Sequence, residues 1–182
     1  MNAEWLKMRH CRSEPLCHSR TWRVASAIDH PTAGEFSGKV QANGDMSVTS
    51  DIFTHGADCA EHFDIAGSST IEPGSVIVID NCGGVRQTHE AYDRKVAGVV
   101  CGAGQHLPGL VLDAQESSGN RLAVALVGKV FCKVDACCEA IAVGDLLTSS
   151  ATPGHAMKAA NPRRAFGAVI GKALAPFRPD KR

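Results

Sequence analysis

The chain has 182 residues, enough for one ordinary domain with an appendage, and its 19 basic residues balance 19 acidic ones. That balance leaves no basic surplus to argue for nucleic acid and no acidic solvating tail. Aromatic residues make up only 5%, while Val, Ala, Leu, Ile and Gly dominate, as suits a β-rich core of small branched side chains broken by glycine turns.

No apolar run is long enough to span a bilayer, and the start "MNAEWLKMRHCRSEPLCHSR" has scattered charges and no apolar core, unlike a secretory signal. A cytoplasmic product with no membrane contact is expected. Without a signal peptide, the eight cysteines are expected to be reduced thiols. "CKVDACC" offers three sulfurs but lacks the paired spacing of a zinc finger. Cys101 and Cys132 sit in apolar runs and read as small core hydrophobes. No cofactor is expected.

Residues 1–35 hold both tryptophans and no clear period, and read as an irregular or short helical leader. Residues 36–66 read as a β-hairpin and a connecting turn. Asn43-Gly44 is a two-residue turn signal, because a type I′ turn needs positive φ at both central positions. Val40 and Ala42 alternate with polar residues before it, Met46 and Val48 after it. In "HGADCAEHFD", Asp58 and Glu61 have the spacing of a capping box, which makes a single helical turn or a bend the expectation here.

Residues 67–182 read as the core domain. "SVIVID", "KVAGVV", "GLVLD", "RLAVALVG", "DLLTSS", "HAMKAA" and "AFGAVIGKALA" are short apolar runs between glycine-containing turns. Strands at that spacing without amphipathic helices predict a mainly β fold, a compact barrel or sandwich.

Within it, residues 71–100 and 141–170 match. Each opens Ile-x-x-Gly, and Gly74 lies ten residues before Gly84 as Gly144 lies ten before Gly154. Each continues to a basic pair, Arg94-Lys95 or Arg163-Arg164, and then to a glycine before apolar residues. One single-residue gap aligns the ends. The expectation is an internal pseudo-repeat whose copies share one core, with the four glycines as structural turns. The Ser149, Ser150, Thr152 and His155 side chains have no counterpart in the first copy and read as polar turn residues or contact residues.

Few residues carry chemistry. Asp58 and Glu61 are the one pair considered for acid–base work, against the capping box that their spacing also describes. Ser149 or Ser150 with His155 lacks the Gly-x-Ser-x-Gly elbow of a nucleophile. His55, His62, His89, His106 and His155 lack the spacing of a helical metal pair and read as surface histidines. "GGVRQTH" and "GAGQHLPG" have neither a Walker pattern nor a βαβ setting.

Taken in order, "GADCAEHFD", "EPGSVIVID", "YDRKVAGVVCGAG", "VALVGKVFCKVD", "VGDLLTSSATPGHAMKA" and "GAVIGKALAP" resemble a bacterial and phage module from the C-terminal end of tail-fibre-like or repeat-rich surface proteins. More distantly, they resemble the peptidase G2 class of intramolecular-chaperone domains of phage tail spikes. The match covers residues 38–176. The resemblance implies a β-rich module assembled as a homotrimer beneath a fibrous stalk, and in the spike relatives a module that cuts itself off. The segment matching the self-processing region is 56–61. Cys59 stands where relatives commonly carry an aromatic residue, the chain stops at "PFRPDKR" where relatives continue into another strand, and no repetitive stalk precedes Gly38.

The leading expectation is therefore a detached, non-catalytic assembly module with a foreign leader, carried on a mobile genetic element. It forms homo-oligomers, with a trimer favoured, and has no assigned protein partner. The competing classes are a self-processing chaperone domain with Asp58 and Glu61 as its catalytic pair, and a β-barrel that binds a small ligand or metal.

Overall fold

The computed structural model describes residues 40–56, 58–67, 70–105, 107–113, 120–137 and 139–178. The leader, His106 and Cys138 lie outside the described residues. The chain divides into two compact units, Met1–Ser50 and Asp51–Arg182.

In the first unit, residues 40–50 are exposed and contain no strand. This corrects the expected hairpin. The turn signal survives as a bend at Asn43-Gly44, but two short strands with one apolar face bury too little to hold together on their own.

The second unit is mainly β, with two sheets. Six strands form the larger: β1 (Asp58–Asp64), β2 (Val76–Ile79), β3 (Val85–Gln87), β4 (Val96–Val100), β5 (Leu110–Leu112) and β6 (Arg121–Gly128), in the order β3-β2-β4-β6-β1-β5. All its pairings are antiparallel except β1 with β5. The smaller sheet is β8-β7-β9, built from β7 (Leu146–Ser149), β8 (Ala156–Lys158) and β9 (Val169–Lys172). The large sheet does not close into a barrel. An isolated bridge from Ile65 to Val85 carries the end of β1 to β3, where the Ala66 N–H donates to the Val85 carbonyl at 2.8 Å. Among the described residues, no helix is long and apolar enough to cross a membrane.

The segment expected to turn helically at Asp58 is strand β1, and it belongs to the core sheet rather than to a connection before it. Its burial has period two: Asp58 and Ala60 are buried, Cys59 and Glu61 half-buried. Ladders with β5 and β6 supply the backbone partners that a lone helical turn would lack. Among the described residues an α-helix, α1 (Pro162–Ala165), forms where the loop with the basic pair was expected.

Strand alternation sorts the core. On β2, Val76 packs with Val99, Ile141, Leu147 and Ala156, a cluster drawn from both sheets. Its neighbour Ile77 packs with Ile71, Val85, Val100 and Val124 on the other face. Both faces of β2 are covered, which is why its sequence is a continuous apolar run. On β6, Val124 joins the Ile77 cluster, while Ala125 packs with Ala60 and Cys101.

Both three-strand meanders have the same pattern. β2 lies between β3 and β4, and β7 between β8 and β9. A bulge inserts Ala97 opposite the Ile77/Val78 step, and another inserts Ile170 opposite Leu147/Thr148. Gly74 and Gly144 have φ of 80° and 89°. Gly84 does not share the left-handed backbone of Gly154 (φ 71°), with which it was expected to correspond; in the β2–β3 turn that conformation belongs to Gly83 (φ 87°). Gly84 instead permits a close approach of two chain segments, since a Cβ there would stand 3.0 Å from the Asp64 carbonyl.

Candidate functional site

Asp58 opens β1 and is buried; it accepts a hydrogen bond from the Cys101 thiol at 3.0 Å, and its carbonyl accepts from the Gly109 N–H at 2.8 Å. Glu61 is three positions on. The extra residue of the β1–β6 bulge is Leu126 on β6, so β1 keeps its alternation and the two carboxyls point to opposite faces. The strand thus separates the pair considered for acid–base chemistry. Burial, reinforced by the Asp58 carboxylate, pushes the Cys101 thiol up to about 12, and burial pushes Cys132 up to about 12 as well. At neutral pH both are thiols rather than nucleophilic thiolates. Cys59 and Cys82 are also free, and Cys82 and Cys137 are exposed.

The patterned loop after β7 is a hydrogen-bonded support. Ser150 Oγ donates to Asp135 Oδ2 at 2.9 Å and Thr152 Oγ1 donates to it at 2.6 Å, while the Cys137 N–H donates to Oδ1 at 3.0 Å. These donors, Thr152 foremost, hold the Asp135 carboxyl well below the usual carboxylate range. The His155 ring bonds to the Pro153 carbonyl at 2.8 Å, while Ser150 meets His155 through the backbone, its N–H donating to the His155 carbonyl at 2.9 Å, and turns its hydroxyl to Asp135. Ser149 is more than a turn residue: its buried Oγ accepts from the Asp93 N–H, 56 residues away, at 2.8 Å. Sequence spacing gave no sign of that contact. Beside it, Tyr92 has the left-handed φ of 61°, receives the Asn161 N–H on its hydroxyl at 3.0 Å, and carries the Arg164 guanidinium 4.4 Å above its ring.

Arg121 joins the start of β6 to its neighbours. It donates to the His62 and Asp113 carbonyls at 2.8 Å each and pairs with Asp113 and Asp64. Among the described residues, no three His, Cys, Asp or Glu come together to hold a metal ion.

The surface feature most suited to binding is apolar. A groove of about 530 Å³ runs beside β9 and is walled by Phe131, Ile170, Leu174 and Phe177, with Lys129 and Lys172 the charged residues in its lining. A second cleft of about 250 Å³ opens between β4 and β6 and shares Val99, Gly128, Val130 and Ile170 with the groove. Near them, Val127 and Leu174 are 72% and 68% exposed, and Phe131, Phe177 and Val169 are exposed as well.

The chain matches no protein-family model, no curated protein and no solved structure.

Proposed function

We propose that this chain is a non-catalytic assembly module that acts as a homo-oligomer, a trimer in its favoured form. The observation that carries the reading is the exposed apolar wall of the groove: Phe131, Leu174 and Phe177 beside Val127 and Val169. Single exposed apolar side chains are ordinary, but a contiguous set around a groove is the mark of a protein–protein surface. The resemblance to C-terminal modules of tail-fibre-like proteins supports the trimer.

The module is built on a duplicated three-strand unit, residues 71–100 and 141–170. The shared strand order, the bulges at equivalent steps and the left-handed Gly74/Gly144 and Gly83/Gly154 pairs support that reading. So do parallel turn bonds: Ser75 N–H to the Glu72 carbonyl in one copy, Asp145 N–H to the Ala142 carbonyl in the other, both 3.2 Å.

Light scattering of the purified chain tests the assembly. A trimer at micromolar concentration is expected, and a monomer there defeats the proposal. Mass spectrometry tests the self-processing class: the chain stays intact on storage. A fragment beginning between Asp51 and Cys59, absent from Asp58→Ala or Glu61→Ala, would put the chaperone reading first.

A further inference from the structure

β4 and β6 part along their length. Their register covers Val99↔Ala125 and Val100↔Val124. Beyond it, Val96 and Gly98 pair with β2, on one side, while Val127 and Gly128 pair with β1, on the other. Each strand end thus keeps one paired edge and turns the other towards the 250 Å³ cleft between them. All the residues lining that cleft are apolar or glycine, yet the surface it offers is chiefly polar. The polar atoms are therefore main-chain N–H and C=O groups. Such groups facing a cleft, with an apolar groove continuing from it, make the acceptor half of a strand addition.

The same chain has a segment with the donor half. Met46, Val48 and Ile52 recur at even positions, all exposed, and Phe53 is 93% exposed. Val48, Thr49, Ile52 and Phe53 favour strands, yet residues 46–53 pair with nothing in a sheet. Charge also matches. Lys129 and Lys172 are the charged residues of the cleft and groove linings, whereas residues 44–54 contain Asp45 and Asp51 and no Lys or Arg.

We infer that residues 46–53 of one copy add as a strand in the β4–β6 cleft of a second copy, their apolar face of Met46, Val48 and Ile52 against the groove, with Asp45 and Asp51 giving the segment a charge opposite in sign to that of the groove. The inference rests on the oligomer reading and names its contact. Each copy then gives one segment and receives another, a head-to-tail arrangement that in the proposed trimer closes as a ring. Covering the strand edges and the apolar wall with one segment removes both from water.

The test places the photo-crosslinker p-benzoylphenylalanine at position 48 of the full chain and mixes isotope-labelled with unlabelled copies before illumination. Adducts are expected between copies, on residues 96–99, 125–131 or 169–177. A Met46→Asp/Val48→Asp double variant, altered at exposed positions, should keep its far-UV circular dichroism and self-associate roughly tenfold more weakly or worse. Adducts within one copy or on another surface, or undiminished association of the double variant, overturn the strand addition while the oligomer stands. A monomeric wild-type chain in light scattering overturns both.

Discussion

At the scale of single residues, glycine and hydroxyl positions divide by what surrounds them. Gly144 and Gly154 both have a left-handed backbone, but a Cβ on Gly144 would meet open space, whereas one on Gly154 would stand 3.0 Å from Gln87 Nε2 and 3.2 Å from Ser75 Cβ. Gly144→Ala should therefore cost the conformational strain alone, about 1 to 2 kcal/mol. Gly154→Ala should cost more, since Gln87 and Ser75 must also move. Urea unfolding of the two variants checks this, and equal midpoints would count against it. Ser149→Ala leaves the buried Asp93 N–H without its acceptor and should cost about 1 to 3 kcal/mol. The sequence alone ranks this hydroxyl well below the Gly144 backbone; the structure makes the two comparable. A Ser149→Ala variant as stable as wild type would disprove the role given to the hydroxyl.

Asp135 gives a pH dependence with a definite sign. Its carboxyl is depressed in the folded state by Thr152, Cys137 and Ser150, so it binds a proton less readily there than in the unfolded chain. Its stabilising contribution is full above the unfolded carboxylate value of about 4, and is lost as pH falls from there towards the lower folded value. The melting temperature should drop as the buffer is taken below about pH 4, and the drop should be shallower in Asp135→Asn. Parallel profiles for the two proteins would assign the acid loss to other carboxylates.

At the scale of elements, α1 is short and depends on its cap. Asn161 Oδ1 accepts the N–H groups of Arg163 and Arg164 at 3.1 and 3.2 Å, and Pro162 fills the first turn. Asn161→Ala should destabilise by about 0.5 to 2 kcal/mol, whereas Asn161→Asp should be close to neutral. Thermal melts distinguish them, and equal losses would show that the side chain is not capping. The signal for this helix was present as "NPRRAFG": a capping Asn, Pro at the first helical position and a glycine just past the end. The capping-box spacing at Asp58 and Glu61 misled in the opposite direction. Two residue types three apart fit a helix start, but they also fit one strand with carboxyls on opposite faces, and pairing with β5 and β6 decides between the two.

At the scale of the whole molecule, the two sheets share a cluster around Val76 and Leu147, so truncation there affects both. Ile77, by contrast, lies in the second cluster, within the large sheet. Ile77→Ala should cost about 2 to 5 kcal/mol by leaving a cavity among Val85, Val100 and Val124. Unfolding should remain a single transition, because β2 touches both clusters; two resolved transitions would mean that the sheets melt independently.

Local chemistry was enough to specify the β class, the turn glycines Gly74, Gly144 and Gly154, and the thiol character of Cys101 and Cys132, because period-two burial, left-handed φ and apolar surroundings are set by a few neighbouring residues. Tertiary structure alone decided that residues 58–64 join the core sheet as β1, that residues 40–50 stay unpaired, that Ser149 supports Asp93, and that β4 and β6 diverge to leave a cleft. The pairings among these depend on partners tens of residues away, and a strand has no internal hydrogen bonds from which its pairing, or the lack of it, can be read.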